Sequence, residues 1–519
     1  MRLISVPKTF ALAIGAVVAL FAVFPLTDTD IWWHLACARE WVTTWTPLRG
    51  PVVNVHEYFQ QTVALAYDVG GAPLLVAFKA VLWGVVFALF LWPSSNIADA
   101  QKKNIANSSK DVIVNSRINV IAQVAACVLL LFIFRYQFEI RPVLFSLLFL
   151  GMYWKVLPWL FDGGAWNGKR NIAKTVVAVV AVLAVQWLWC KFQGLYILGP
   201  IFALIVVALQ WWNSRGSGHQ MARNLLLLRF AFVALLLAMP FFHHEGLNLF
   251  LYPFGLLDRL LGLSPSAAVF ASEIAENRSP VTLLMAGENV LQSTLMVVLS
   301  VAGLVVGALR LRRPESVWLF MTAILALVAE RNFVLFLPVF FAVGVKWLRS
   351  YQCMYGRDTQ PLRLPNRLLP TSYFLLSTLL VAFIFGLWLR SESNYDSMVA
   401  YQRVPVAAAE WMKSHPHPGH LFNDDRAGGY LAFVNPSDST YIDGRFILKT
   451  AEFFEKYLQY AESPQTFLDD AETQNIDRVV LPLRYYARWG KLLTTLDSLE
   501  NWHVAYRDSL FVVMDRTRF

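Results

Sequence analysis

Leu26-Thr27-Asp28-Thr29-Asp30-Ile31-Trp32-Trp33-His34-Leu35-Ala36-Cys37-Ala38-Arg39-Glu40-Trp41 follows directly on an apolar run over residues 9–26. That run is long enough to cross a hydrocarbon core as a helix and starts too near Met1 to follow a separate signal peptide. It carries no small-residue cleavage site and reads as a retained anchor. The stretch after it therefore stands at a membrane surface. Asp30 is a favourable N-cap, Ile31, Leu35, Ala38 and Val42 recur at helical spacing, and Trp32, Trp33, Trp41 and Trp45 read as interfacial anchors. The pattern predicts a helix lying along the outer leaflet with two carboxylates, Asp28 and Asp30, at its start. Local chemistry alone reads Asp30 equally well as a cap and Asp28 as a solvated loop residue.

Further apolar stretches recur along the chain, at about 72–92, 118–134, 142–161, 175–192, 194–212, 224–242, 293–309, 316–330, 333–349 and 369–389. With 57% hydrophobic and 15% charged residues and a mean hydropathy of +0.49, no single soluble core would hide that much apolar surface. The expected fold class is a polytopic α-helical membrane protein of about 11 transmembrane helices. If the N-terminus, with Arg2 and Lys8, is cytoplasmic, five basic clusters share its side: Lys102/Lys103/Lys110/Arg117, Lys169/Arg170/Lys174, Arg215/Arg223/Arg229, Arg310/Arg312/Arg313 and Lys346/Arg349/Arg357/Arg363/Arg367. The loops at about 27–71 and 243–292 then face outward, as does everything after 389. The expected place is the inner (plasma) membrane, multi-pass, with the C-terminal domain periplasmic. The net charge of +9 is no nucleic-acid signal: residues 1–389 hold 30 basic against 17 acidic side chains, and 390–519 hold 14 against 18. Cys37, Cys127, Cys190 and Cys353 are scattered and form no disulfide framework or zinc-ligand spacing.

The chain divides into a membrane domain, 1–389, and an outer domain, 390–519. In the latter, helical stretches (406–415, 449–461, 464–475, 485–498) alternate with β-rich runs (His420–Phe422, Thr440–Ile442, Arg478–Leu481, Trp502–Tyr506, Leu510–Met514). The alternation predicts a small α/β domain with a mixed sheet. Polar turns at Asn423-Asp424-Asp425-Arg426-Ala427-Gly428-Gly429-Tyr430 and Asp443-Gly444-Arg445 stand at strand ends, where α/β sheets put binding sites and where turn conformation alone also selects Asp, Asn and Gly.

An acid-x-Asp-x-Trp pattern after the first span, followed by an interfacial helix, resembles the first extracytoplasmic loop of the GT-C membrane glycosyltransferase superfamily, which includes oligosaccharyltransferase catalytic subunits, protein O-mannosyltransferases and lipid A aminoarabinose transferases. The number of spans, the two outer loops and the outer C-terminal domain are similar as well. Nearer still is a group of bacterial GT-C-like proteins with Asp-x-Asp-x-Trp-Trp-His-Leu, an internal His-Glu (His56-Glu57), an Arg-Pro opening a span (Arg141-Pro142) and a late Arg-Asn (Arg331-Asn332). The Trp-Trp-Asp sequon motif of asparagine-linked enzymes is absent, because Trp32-Trp33 is followed by His34 and Trp211-Trp212 by Asn213. The resemblance implies transfer of a sugar from a polyprenyl-phosphate-linked donor to an extracytoplasmic acceptor, with membrane lipid as the surrounding partner and no nucleic acid. It places the loop-one acid at the transfer site, as general base or as a metal ligand orienting the acceptor. Asp30 is the expected catalytic acid and Asp28 its support.

Ionisable groups at membrane depth are costly and usually face a cavity. Arg141, Lys191 and Arg331 are candidates to neutralise the donor phosphate by charge-assisted hydrogen bonds, each also readable as snorkelling or paired with a nearby Glu, such as Arg331 with Glu330. Trp32, His34, His56, Glu57 and Glu276 are candidates for sugar or acceptor binding. His243 and His244, with Glu276, could complete a divalent Mg or Mn site with Asp28. A transporter or flippase would show paired inverted repeats, which this chain lacks. A noncatalytic scaffold presenting the outer domain would not need acids and cations converging in one outer cavity.

Overall fold

The computed structural model describes residues 8–41, 44–50, 52–93, 125–161, 169–216, 223–261, 264–355, 397–484 and 487–517. Six helices among these are long and apolar enough to cross a membrane: Glu57–Leu91, Pro142–Leu160, Ile172–Phe192, Gly194–Arg215, Arg223–Phe242 and Val290–Ala308. Lys8–Phe21 and Pro314–Val328 are shorter apolar helices. Residues 125–133 are helical, and Phe333–Tyr355 packs against Pro314–Val328 and Glu57–Leu91. The run expected at 369–389 lies outside the described residues, as does most of the basic linker before 118. The protein is thus a multi-pass membrane protein.

One long helix needs a special residue. Glu57–Leu91 runs 35 residues with non-helical backbone at Gly70 and Gly71, and Gly71 has φ of 63°, a conformation that a side chain disfavours. The break divides an outer helical arm from the apolar segment expected at 72–92. Lys8–Phe21 packs along this helix, and the chain leaving it pairs with the chain entering the C-terminal domain, Leu26 N donating to Met398 O at 2.9 Å.

The C-terminal domain is built on a four-stranded mixed sheet of order β1-β2-β4-β3, with β1 His420–Asn423, β2 Ile476–Pro482, β3 Trp502–Arg507 and β4 Phe511–Arg516. β1 runs parallel to β2, while β2–β4 and β4–β3 are antiparallel. β2 is buried along its whole length, and its alternating side chains feed two cores: Val479 and Leu481 with Phe422, Tyr457 and Trp489 on one face, Val480 with Val513, Leu431 and Ala409 on the other. Thr440–Ile442 is not a strand. Its backbone is taken by loop one and by a side chain: Trp45 N donates to Thr440 O, Thr46 Oγ1 to Tyr441 O, and Tyr441 N to Asn423 Oδ1.

Candidate functional site

The expected loop-one helix exists as Asp30–Arg39, and protein covers most of it. Every residue from Ile31 to Cys37 is buried, because the helix is wedged between the Glu57–Leu91 helix and the C-terminal helix Asp425–Val434. Gly429 permits the wedge: a Cβ there would stand 3.1 Å from Trp33 N and 3.2 Å from Thr29 O. Trp32 and Trp45 grip protein, while Trp41 is exposed. Trp32, 1% exposed, is boxed by Tyr430, Phe433 and Tyr67, which leaves no ring face for a sugar and corrects its expected role. Trp45 stacks on His420 at 4.3 Å and donates to Leu421 O at 2.9 Å.

Asp30 is not a cap. Thr29 occupies the cap position without a side-chain bond, and it is Asp28 Oδ1 that accepts from Asp30 N at 3.3 Å. Asp28, 4% exposed, is committed to Arg141, whose Nε and Nη2 donate to its two oxygens at 3.0 and 3.2 Å. The other edge of the same guanidinium, Nη1 and Nη2, donates to both oxygens of Glu276 at 2.7 Å. Loop one, the link before Pro142 and the second large loop therefore meet at Arg141. Burial works against the Glu276 charge, but Arg141, with Arg331 and Arg403 beyond it, holds that carboxyl down at about 2. Asp30 has no such partner among the described residues. Burial, then the charges of Asp28 and Glu276, push its carboxyl up to about 8 against the pull of Arg141.

The C-terminal domain closes over this acid. At Gly444 an added Cβ would collide with Asp30 Oδ1, so the carboxylate rests against the backbone of the Asp443-Gly444-Arg445 turn. Arg445 is locked by Asp443, donates to Cys37 Sγ at 3.4 Å and stands over the Trp33 and Trp41 rings. Arg403 Nη1 donates to Thr27 O at 2.7 Å. Lys449 Nζ donates to Thr44 Oγ1, Thr46 Oγ1, Thr46 O and Pro47 O at 2.6–3.1 Å. By contrast, the Asn423–Tyr430 turn is spent on structure: Asp424 caps the next helix and accepts from Trp489 Nε1 at 2.7 Å, and Asp425 accepts from Tyr457.

Beneath the acids lies a knot the sequence reading passed over. Lys79, fully buried in the Glu57–Leu91 helix, donates to Phe24 O at 3.0 Å, covers the Phe24 ring at 3.4 Å and pairs with Glu139 at 4.0 Å. Glu139 accepts from Thr27 Oγ1, and Trp83 Nε1 donates to Glu139 O at 2.9 Å. Both backbone stretches that bear the site, 24–28 and 139–141, are pinned here. A lone lysine inside an apolar run was the available signal.

The remaining expected residues divide. His34, 2% exposed, meets Phe59 edge-to-face and lies 5.3 Å from the His56 ring, with Nδ1 lacking a partner among the described residues. Burial, followed by His56, Arg445 and Arg141, keeps it neutral, and burial takes His56 down to about 4 despite its bond to Phe192 O. Lys191 is bound between Glu57, at 2.8 Å, and Glu245, so neither Lys191 nor Glu57 belongs to the Arg141 cluster by direct contact. Arg331 is exposed, donates from Nη1 to Asn277 Oδ1 at 3.0 Å and, among the described residues, is not paired with Glu330, which accepts from Tyr136. The metal set is not assembled. His243 stacks on Trp187 with Nε2 3.0 Å from Trp187 O, His244 faces Glu245, and Asp28 is held by Arg141. Among the described residues no three His, Cys, Asp or Glu side chains stand together to hold a metal ion.

No protein-family model matches the sequence, and neither does any curated protein. Solved structures do. An oligosaccharyltransferase of Archaeoglobus fulgidus, tethered to an acceptor peptide containing the NVT sequon, aligns with a TM-score of 0.53 at 14% identity, over 98% of this chain and 74% of that one. AglB from the same organism, in complex with an inhibitory peptide and a dolichol-phosphate, aligns at 0.50 and 14% over 97% and 74%. The oligosaccharyltransferase in complex with zinc and sulfate aligns at 0.51 and 14% over 98% and 73%. The chain shares the fold of these archaeal oligosaccharyltransferases.

Proposed function

We propose that the protein is an integral membrane glycosyltransferase that moves a sugar from a polyprenyl-phosphate-linked donor to an acceptor on the outer face of the membrane. The observation that carries this reading is Asp30: a carboxyl without an ion-pair partner among the described residues, pushed up to about 8, beside an Arg141 already saturated by Asp28 and Glu276. A base poised near neutral pH suits removal of an acceptor proton in the transition state. In this reading the acceptor heteroatom bonds to the sugar anomeric carbon as its proton passes to Asp30, and the carbon–oxygen bond to the phosphate breaks with its electron pair leaving on phosphate. The exposed guanidinium of Arg331 meets that charge. His56, half-buried and neutral, offers a ring nitrogen rather than charge to the sugar or acceptor, whereas His34 is as buried as Trp32.

The neighbour in complex with a dolichol-phosphate and an inhibitory peptide supports a lipid-linked donor and an outer acceptor. The orientation is supported by the five basic loops and by the meeting of loop one, the second large loop and the C-terminal turn at one end of the bundle. It extends to about eleven spans with the N-terminus inside. A reporter fused after Phe519 is then active only outside the cytoplasm, and one inserted near Ser108 only inside. Mass spectrometry of lipid copurifying with the detergent-extracted protein tests the donor. A polyprenyl phosphate or diphosphate is expected. Bulk phospholipid alone, with no thermal stabilisation by added polyprenyl phosphate and no change on Arg331→Ala, would sink the assignment.

A further inference from the structure

Arg141 is forked twice. Its Nε/Nη2 edge binds Asp28 at 3.0 and 3.2 Å and its Nη1/Nη2 edge binds Glu276 at 2.7 Å twice, so all three guanidinium nitrogens are used and four carboxylate oxygens are engaged. Bidentate Arg–carboxylate bonds are among the strongest and most directional in proteins. Asp28 is 4% exposed and its segment is pinned from behind by the Lys79–Glu139 knot, so it cannot turn toward another cation. Arg141 opens the Pro142–Leu160 helix, which places its charge with the rigidity of a membrane span. A divalent ion shared by these carboxylates would need their oxygens within about 2.0–2.6 Å, in the space the guanidinium fills.

We propose that Arg141 is the resident cation of the site, standing between Asp28 and Glu276 where a divalent metal would otherwise be required, and that this protein holds its acids without one. The guanidinium fixes both carboxylates and keeps a permanent positive charge between them. The inference deepens the proposed function and rests on it for the reaction, but not for the cation.

The test uses full-length protein in detergent, stripped with EDTA and titrated with Mn²⁺ to about 1 mM, a range that reports even weak oxygen-ligand sites, with bound ion read by electron paramagnetic resonance. The wild type is expected to show no stoichiometric Mn²⁺. Arg141→Ala is expected to gain one Mn²⁺ per chain, lost again when Asp28→Asn is added. A wild-type ion that Asp28→Asn or Glu276→Gln abolishes would overturn the proposal, as would a folded Arg141→Ala protein that binds none. If Arg141→Ala does not fold, the wild-type arm still decides. Sugar transfer abolished by EDTA and restored by Mn²⁺ would refute the inference while leaving the glycosyltransferase reading intact. A protein with no lipid donor that still binds no Mn²⁺ would do the reverse.

Discussion

Asp30→Asn separates the cost of the site from its use. The folded protein holds the Asp30 proton to about pH 8, whereas an unfolded Asp loses it near pH 4. Between those values the folded state binds more protons than the unfolded one, so this residue lowers stability progressively from about pH 4 to about pH 8 and by a constant amount above. Four pH units would be on the order of 5 kcal/mol at fixed geometry. Asp30 is partly exposed, and water and side-chain relaxation reduce this to roughly 2 kcal/mol. Asn keeps the shape of the neutral acid and removes the cost. The variant should therefore match wild type at pH 4–5 and melt higher at pH 8 by on the order of 2 °C, while transfer falls about 10²- to 10⁴-fold. With 19 tryptophans in the chain, intrinsic fluorescence of detergent-purified protein across pH 5–9 reads the melting directly. A stability difference independent of pH, or an Asn variant less stable at pH 8, would refute the reasoning about Asp30 burial; full transfer activity would refute its role.

Glu276→Gln removes one of the charges that raise Asp30 and leaves Arg141 in place, so the rising limb of kcat/KM against pH should move below about 8, by on the order of one unit; an unmoved limb would mean that another group titrates. Lys79→Met leaves Glu139 buried without its cation, which costs about 3–5 kcal/mol, and adding Glu139→Gln should recover part of it in the same melting assay. Gly444→Ala drives a methyl into Asp30 Oδ1. Transfer should drop on the order of 10²-fold, as misplacement by about 1 Å does, with melting nearly unchanged, whereas a large melting loss with proportionate activity would make the turn structural only.

What could be read in the sequence follows from which forces are local. The apolar runs near 142–161, 175–192, 194–212, 224–242 and 293–309 appear within a few residues as helices, because in a bilayer each span must satisfy its own backbone and the requirement is written in each segment separately. Thr440–Ile442 failed as a strand because β-propensity reports a residue that fits a pleated surface, not the partner it finds. Here the partners are Trp45, Thr46 and Asn423 rather than a neighbouring strand.

The site divides along the same line. Asp28, Asp30, Arg141 and Glu276 were legible as costly residues near the membrane surface; Arg141 joins Asp28 and Glu276, and Asp30 stands beside Asp28. Trp32 and Trp33 were misread, because helical periodicity identifies an apolar face without saying whether lipid or protein covers it. A span end favours the interfacial reading, and only the approach of the helix bearing Gly429 decides otherwise. Arg445 and Gly444 were visible merely as a turn, since their consequence depends on docking against a residue more than 400 positions earlier. That docking also changes what Asp30 is. An acid at a helix start in water would be an ordinary ionised cap; covered by the turn and crowded by Asp28 and Glu276, its carboxyl is pushed up to about 8, which is what the proposed role as base requires. In the proposed reaction the environment of Asp30 thus depends on the C-terminal domain, to which Asp443-Gly444-Arg445 contributes chiefly a fitted surface.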